Sequence, residues 1–283
     1  VVKIVECPRD AMQGIVPMIP AERKARYLNA LLRAGFHTLD FGSFVSPQAV
    51  PQMADTAQVL EMLEWESSPT RLLAIVANLR GAEEACAYPQ ISELGYPFSI
   101  SETFQLRNTR RTIDASLPLV EEMLECCDKH GKGLTVYLSM AFGNPYGDPW
   151  SEEAAAGWAE RLAGLGLRTL ALADTAGCAT EAAIRSLFSA LIPCFPEVEF
   201  GAHFHSHPAS RRAKLAAAWE AGCRRFDTAL GGFGGCPFAQ DELVGNISTE
   251  SLLDYCKENS IETGIDPAAW EAALAIAPEV FGS

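Results

Sequence analysis

Eight short, apolar, β-rich runs succeed one another along this chain, and each is followed by a segment with helical periodicity. The runs are Lys3–Glu6, Thr38–Phe41, Arg71–Ala77, Pro97–Ser101, Gly133–Ser139, Thr169–Ala173, Glu199–Phe204 and Arg225–Thr228. Strands that alternate with helices must return to the same end of a sheet each time, so the alternation calls for parallel pairing. Units of roughly 30–35 residues repeated eight times give the rhythm of an α/β protein closed into a (β/α)8 TIM barrel. An open doubly wound sheet shares the alternation, but eight consecutive units favour closure. No linker rich in Ser, Pro or charge interrupts the series, so residues 1–283 read as one barrel domain.

Local signals agree. Pro20-Ala21-Glu22-Arg23 opens a helix with proline in its first turn, and Ala34-Gly35 closes it with a glycine stop. Ser116–Lys132 spaces Leu117, Val120, Met123, Leu124 and Cys127 along one helical face, and Ser151–Gly166 and Pro208–Gly222 follow the same design.

Charge narrows the partners. Lys and Arg number 22 against 36 Asp and Glu, a net charge of −14, which repels phosphate backbones and anionic lipid. Nucleic acid and membrane partners are therefore not expected; a small anionic substrate is still possible if a metal or a few arginines reverse the field in one cleft. No run approaches the roughly 18 apolar residues of a membrane span, and Val1–Glu6 reads as a first strand rather than a secretory core. Nine cysteines, an odd number without Cys-x-x-Cys spacing, suit reduced thiols in a cytoplasmic protein. Cys126-Cys127 and Cys223 fall within helical patterns and read as core or surface thiols.

Polar residues gather where the strands end. Arg9 and Asp10 follow the first, Asp40 ends the second and Asn78 follows the third. Ser101 and Glu102 follow the fourth, Asn144 the fifth, Asp174 and Thr175 the sixth, and Cys236 and Asn246 the eighth. In a parallel barrel all these exits open on one face, where the loops build the active site. At the end of the seventh run stands Ala202-His203-Phe204-His205, and strand alternation points both imidazoles the same way. Two imidazoles and a carboxylate such as Asp10 make a divalent-metal site with positions open for substrate; alone, the pair could equally be buried histidines bonded to backbone. Leu230-Gly231-Gly232-Phe233-Gly234-Gly235-Cys236-Pro237 reads either as a mobile lid carrying a reactive thiol or as an ordinary flexible loop with an inert one.

Several of these segments resemble one family. Val5-Glu6-Cys7-Pro8-Arg9-Asp10-Ala11-Met12-Gln13 resembles the opening signature of the hydroxymethylglutaryl-CoA lyases, within the wider metallolyase group that includes isopropylmalate and homocitrate synthases. Ser43-Phe44-Val45-Ser46-Pro47, continuing through Val50–Asp55, is similar to a segment of the lyase branch. So are the glycine loop through Gln240 and the stretch Gly245–Glu250, and the matches run from about Lys3 to Asp266. The resemblance implies a TIM barrel holding Mg2+ or Mn2+ on Asp10, His203, His205 and Asn246. It implies that Arg9 stabilises an enolate, that Cys236 closes over the substrate on its loop, and that a small-molecule acyl-CoA or hydroxy acid is cleaved. Asp40, in a position where the family carries glutamate, is placed beside Arg9 as the third catalytic residue. Gln13, Ser43, Asn78, Ser101, Glu102, Asn144, Asp174 and Thr175 are the candidate lining of the substrate pocket, and a homo-oligomer is expected.

The chain also departs from the family pattern. Ala11-Met12 replaces Gly-Leu, Asn144 stands where cysteine is common, Ser206-His207-Pro208-Ala209 replaces Asp-Thr-Tyr-Gly, and Asp241-Glu242-Leu243-Val244 replaces small residues. These changes spare the metal chemistry and bear on the substrate. The competing readings are a related aldol or Claisen-type lyase acting on another hydroxy acid or thioester, and a barrel that keeps the metal without catalysis.

Overall fold

A computed structural model describes residues 1–234 and 244–282 of the chain. Its strands are β1 Lys3–Glu6, β2 Thr38–Ser43, β3 Arg71–Ile75, β4 Ile91–Ser99, β5 Gly133–Ser139, β6 Thr169–Asp174, β7 Glu199–Phe204 and β8 Arg225–Thr228. Each pairs in parallel with its neighbours in chain order, and β8 closes on β1 with Lys3 opposite Arg225 and Glu6 opposite Thr228. The (β/α)8 barrel expected from the alternation is the fold. Around it run α1 Pro8–Met12, α2 Ala21–Arg33, α3 Thr56–Glu61, α4 Leu79–Cys86, α5 Glu102–Thr109 and α6 Ile113–Lys129. The ring continues with α7 Glu152–Gly164, α8 Glu181–Cys194, α9 Pro208–Glu220, α10 Thr249–Glu258 and α11 Pro267–Phe281.

Capping chemistry sets where the helices begin. The side chains of Thr112, Ser151, Thr180 and Ser248 each accept the N–H three residues on, satisfying a backbone donor that the first turn leaves free. Thr112 therefore starts α6 at Ile113, three residues before Ser116. β4 also begins earlier than its apolar run suggests, at Ile91 rather than Pro97. Its pairing with β3 runs from Ile91 to Gly95, so Pro97, which has no N–H to donate, lies past the end of that ladder.

The core fills the space between barrel and helices, where Leu28 and Leu31 of α2, Val120 and Met123 of α6, and Phe188 of α8 are fully buried. Inside the barrel, Arg225 of β8 reaches across to Glu93 of β4, four strands away around the ring, with Nη2 3.0 Å from Oε1. That buried pair belongs to the N-terminal end of the strands. The opposite end is open to the loops that follow them. Among the described residues no helix is long and apolar enough to cross a membrane.

Candidate active site

The chain turns from β1 straight into α1, a helix of five residues with Pro8 at its start. That turn sets two consecutive charged side chains, Arg9 and Asp10, over the barrel mouth, both largely buried. Arg9 forks onto Asp40, which lies in mid-strand because β2 runs on to Ser43: Nη2 lies 2.6 Å from Oδ2, and Nε lies 3.1 Å from each carboxylate oxygen. Its remaining nitrogen, Nη1, reaches Asp10 Oδ1 at 3.2 Å and Gln13 Oε1 at 2.9 Å, while Gln13 Nε2 donates to Asp10 Oδ1 at 2.8 Å. Burial pushes the Asp40 carboxyl up to about 6 against the pull of Arg9, so it is still ionised at neutral pH. Burial also opposes the charge on Asp10, yet Arg9, both histidines and the Asn246 amide outweigh it and bring Asp10 down to about 2.

Strand alternation at the end of β7 does what its spacing promises. Phe204 turns outward onto Phe142 and Phe188, and the imidazoles of His203 and His205 share the inner face with ring centroids 5.3 Å apart. The nearest ligand atoms of Asp10, His203 and His205 all lie within 4.8 Å of one another. His205 Nδ1 is 3.0 Å from the carbonyl oxygen of Thr175, which can only accept, so Nδ1 carries the proton and Nε2 the lone pair. That Nε2 is buried and has no hydrogen-bond partner among the described residues. An orphaned buried acceptor costs about 1–3 kcal/mol, a cost that a cation removes. Burial and the neighbouring His203 lower the His205 pKa to about 4, keeping the ring neutral as a ligand must be. His203 Nδ1 pairs with Asp227 Oδ2 at 3.1 Å; burial lowers this ring's pKa, but Asp227 outweighs it and the net shift is upward. One carboxylate held ionised and two oriented imidazoles fit a divalent cation.

Asn246 enters as an antiparallel bridge partner of His205, and its Nδ2 donates to Asp10 Oδ2 at 2.6 Å and to the Phe233 carbonyl at 2.9 Å. Its amide thus ties Asp10 to the root of the glycine loop. Gly234 is needed there: its φ is +92°, and a side chain would stand 2.8 Å from both the Asn246 amide and the Asp10 carbonyl. Cys236 lies outside the described residues.

The other expected pocket residues divide. Ser43 is buried at the end of β2, its hydroxyl without a partner among the described residues, and the Thr175 carbonyl orients His205. The Asp174 carboxylate turns to Lys214 Nζ at 2.5 Å and the Ala179 N–H at 3.1 Å instead of facing the mouth. Asn78 caps α4 and Ser101 caps α5, Glu102 accepts the first N–H of α6, and Asn144 closes its own loop on Tyr146 and Asp148. His207, within the segment that departs from the family pattern, caps α9 by accepting the Ala209 N–H. These five side chains build caps and turns.

Three residues escaped the reading of the sequence. Asp227 lies in register with His203 on the neighbouring strand, and an acidic residue inside the short run Arg225–Thr228 was the available signal. Lys214 is buried and also donates to the His205 carbonyl at 3.3 Å. Glu6, the last residue of β1, accepts the Leu230 N–H at 2.7 Å and contacts the Thr249 hydroxyl, which pins both ends of the glycine loop.

The family description HMGL-like matches residues 2–274. The chain belongs to this family. It is 33% identical over 275 residues to the (R)-citramalyl-CoA lyase of Chloroflexus aurantiacus, covering 94% of this chain and 86% of that protein. It is 31% identical over 258 residues to the hydroxymethylglutaryl-CoA lyase YngG of Bacillus subtilis, covering 91% and 85%. Among solved structures, an HMG-CoA lyase from Acinetobacter baumannii in complex with coenzyme A and 3-methylmalate superposes with a TM-score of 0.92 at 32% identity, over 100% of this chain and 92% of that one. An HMGL-like chain with these relatives is an enzyme of the lyase class.

Proposed function

We propose that this enzyme cleaves the carbon–carbon bond of 3-hydroxy-3-methylglutaryl-CoA, or a close 3-hydroxyacyl-CoA, to acetyl-CoA and an oxo acid, with Mg2+ or Mn2+ at the barrel mouth. The observation that carries this reading is the orphaned Nε2 of His205, buried beside Asp10 and His203 and next to the Arg9–Asp40 fork. Asp10, His203, His205 and the side-chain oxygen of Asn246 would hold the ion, the Asn246 amide nitrogen also fixing Asp10, and these oxygen and imidazole donors suit a hard or borderline dication. When bound, the ion supplies a Lewis acid for the substrate's hydroxyl and carboxylate.

The chain's own groups supply the rest. Cleavage needs a general base to take the hydroxyl proton; the bond between C2 and C3 then breaks and leaves its electron pair on the thioester fragment as an enolate. Arg9 is assigned to that enolate oxygen, a role supported by the way Asp40 and Gln13 hold its guanidinium in place. Protonation of the acetyl carbon is assigned to Cys236, through the resemblance of its glycine loop. Ser43, whose buried hydroxyl has no partner among the described residues, is the remaining candidate for a substrate hydrogen bond. Eight described cysteines are free thiols, in keeping with a reducing compartment such as the cytoplasm.

The citramalyl-CoA lyase relative favours a second reading, a shorter hydroxy acid thioester cleaved by the same groups. Comparing kcat/KM for 3-hydroxy-3-methylglutaryl-CoA and for both enantiomers of citramalyl-CoA separates the two. A ratio of about tenfold or more toward the former is the expected result, and the reverse ratio establishes the second reading.

A further inference from the structure

On the outside of the barrel, α4 and α6 end side by side and bring together thiols that the lyase reaction does not use. Cys86 is the last residue of α4, Cys126 and Cys127 lie in the last turn of α6, and His130 follows that helix as its C-terminal cap. The sulfurs of Cys86 and Cys126 are 3.8 Å apart. Both sulfurs and a ring nitrogen of His130 lie within 4.8 Å of one another. Helical spacing of four residues puts Cys126 and His130 on one face, and Cys127 neighbours the same Cys86 sulfur.

At that separation the Cys126 thiol donates to the Cys86 sulfur, and the same separation fits two ligands of one metal ion. Metal–sulfur bonds of about 2.3 Å at tetrahedral angles set two sulfurs about 3.8 Å apart. A disulfide needs them at about 2.05 Å and gives the histidine no role. His130 Nδ1 lies 2.8 Å from the Cys126 carbonyl oxygen, so Nδ1 carries the proton and Nε2 the lone pair, the tautomer that metal-bound histidines adopt. The three cysteines are buried and His130 is exposed, which leaves the cluster a solvent-facing side for an ion to enter. Lys132, anchored on the Tyr88 and Ile91 carbonyls, stands beside the thiols as a compensating positive charge.

We propose that Cys86, Cys126 and His130 form a site for a thiophilic, tetrahedral dication of the zinc class, with Cys127 beside it and a water molecule as fourth ligand. It is separate from the oxygen- and imidazole-lined site at the barrel mouth. Burial pushes the Cys86 thiol up to about 11, so without a metal it holds its proton at neutral pH. Binding then forms two metal–sulfur bonds and releases one proton from each of the two thiols to solvent. The ion clips the end of α4 to the end of α6 and stabilises the folded state by mass action.

Cobalt titration of the reduced, metal-free protein tests this. A tetrahedral thiolate site gives intense visible bands and a thiolate-to-cobalt charge-transfer band, whereas a nitrogen- and oxygen-ligated six-coordinate site gives only weak absorption. The intense bands should appear in the wild type, persist in His205→Ala, vanish in Cys86→Ala and be displaced by zinc. His130→Ala, an exposed change that spares folding, should weaken cobalt affinity by about tenfold or more. Lyase activity should be unchanged in Cys86→Ala and His130→Ala, so failure here is distinguishable from failure of the catalytic reading. The proposal is overturned by absence of the intense bands in the wild type, by their survival in both Cys86→Ala and His130→Ala, or by a Cys86–Cys126 disulfide in place of the metal.

Discussion

Arg9 and Asp40 meet as a forked ion pair over the barrel mouth, with Arg9 Nη2 2.6 Å from Asp40 Oδ2 and Nε 3.1 Å from both oxygens. The fork fixes the plane of the guanidinium, and its remaining nitrogen Nη1 donates to Asp10 and Gln13. A cation so held needs little reorganisation when negative charge develops nearby, which is the condition for strong electrostatic stabilisation.

Arg9→Met should leave metal binding largely intact and lower kcat by a hundredfold or more, corresponding to a loss of roughly 3 kcal/mol of transition-state stabilisation. Steady-state kinetics with metal analysis on the same sample check it. Turnover within tenfold of wild type removes Arg9 from the role of enolate stabiliser.

Asp40→Asn should lower kcat with little change in KM, because it loosens the cation without touching substrate. It should also lower the unfolding temperature, since a buried pair broken on one side costs about 3–5 kcal/mol. Asp40→Glu keeps the charge and is expected to hold kcat within about tenfold. If Asn and Glu variants behave alike, the carboxylate is not what positions Arg9.

Cys236 should be alkylated faster in the free enzyme than in the enzyme with metal and a dicarboxylate analogue, and its alkylation should inactivate. Cys236→Ser should keep substrate affinity within a few-fold while turnover falls strongly, serine being a much poorer proton donor near neutral pH. Peptide mass spectrometry identifies the modified thiol. Inactivation by labels confined to other cysteines takes Cys236 out of the mechanism.

Glu6 gives stability a pH dependence. Its burial, opposed by the hydrogen bonds from Thr249 and Leu230, raises its pKa from 4.5 to about 8. The folded state therefore takes up a proton that the unfolded chain does not. The stability this contributes is complete below pH 4.5 and is lost as pH rises through 8. Glu6→Gln mimics the protonated form and should remove this slope, gaining on the wild type by up to a few kcal/mol between about pH 5 and 8.5. Denaturant unfolding of both proteins across that range measures the gain. A pH-independent difference would show that Glu6 is ionised throughout.

Much of this arrangement was legible in the sequence, for reasons of periodicity. Eight alternating units imply a closed parallel barrel, and a two-residue period puts His203 and His205 on one face. Less legible was the use of polar residues after strands. Ser, Asn and Glu at a strand exit are also the residues that begin the next helix, and Asn78, Ser101 and Glu102 serve as helix caps here. Pairing across strands was hidden for a different reason. Asp227 reaches His203 through a lateral register that no local pattern specifies, and Lys214 meets Asp174 from 40 residues away.

A metal centre built from Asp10, His203 and His205 makes carbon–carbon cleavage depend on the ion those residues hold. The most direct test is acetyl-CoA release from 3-hydroxy-3-methylglutaryl-CoA by chelator-stripped protein before and after Mg2+ or Mn2+ is restored, in the wild type and in His205→Ala. The stripped wild type should be inert and recover with either ion, while His205→Ala, folded as judged by a cooperative unfolding transition, should neither retain the ion nor recover. Cleavage that persists in stripped protein, or a His205→Ala variant that turns over at the wild-type rate, would contradict the claim.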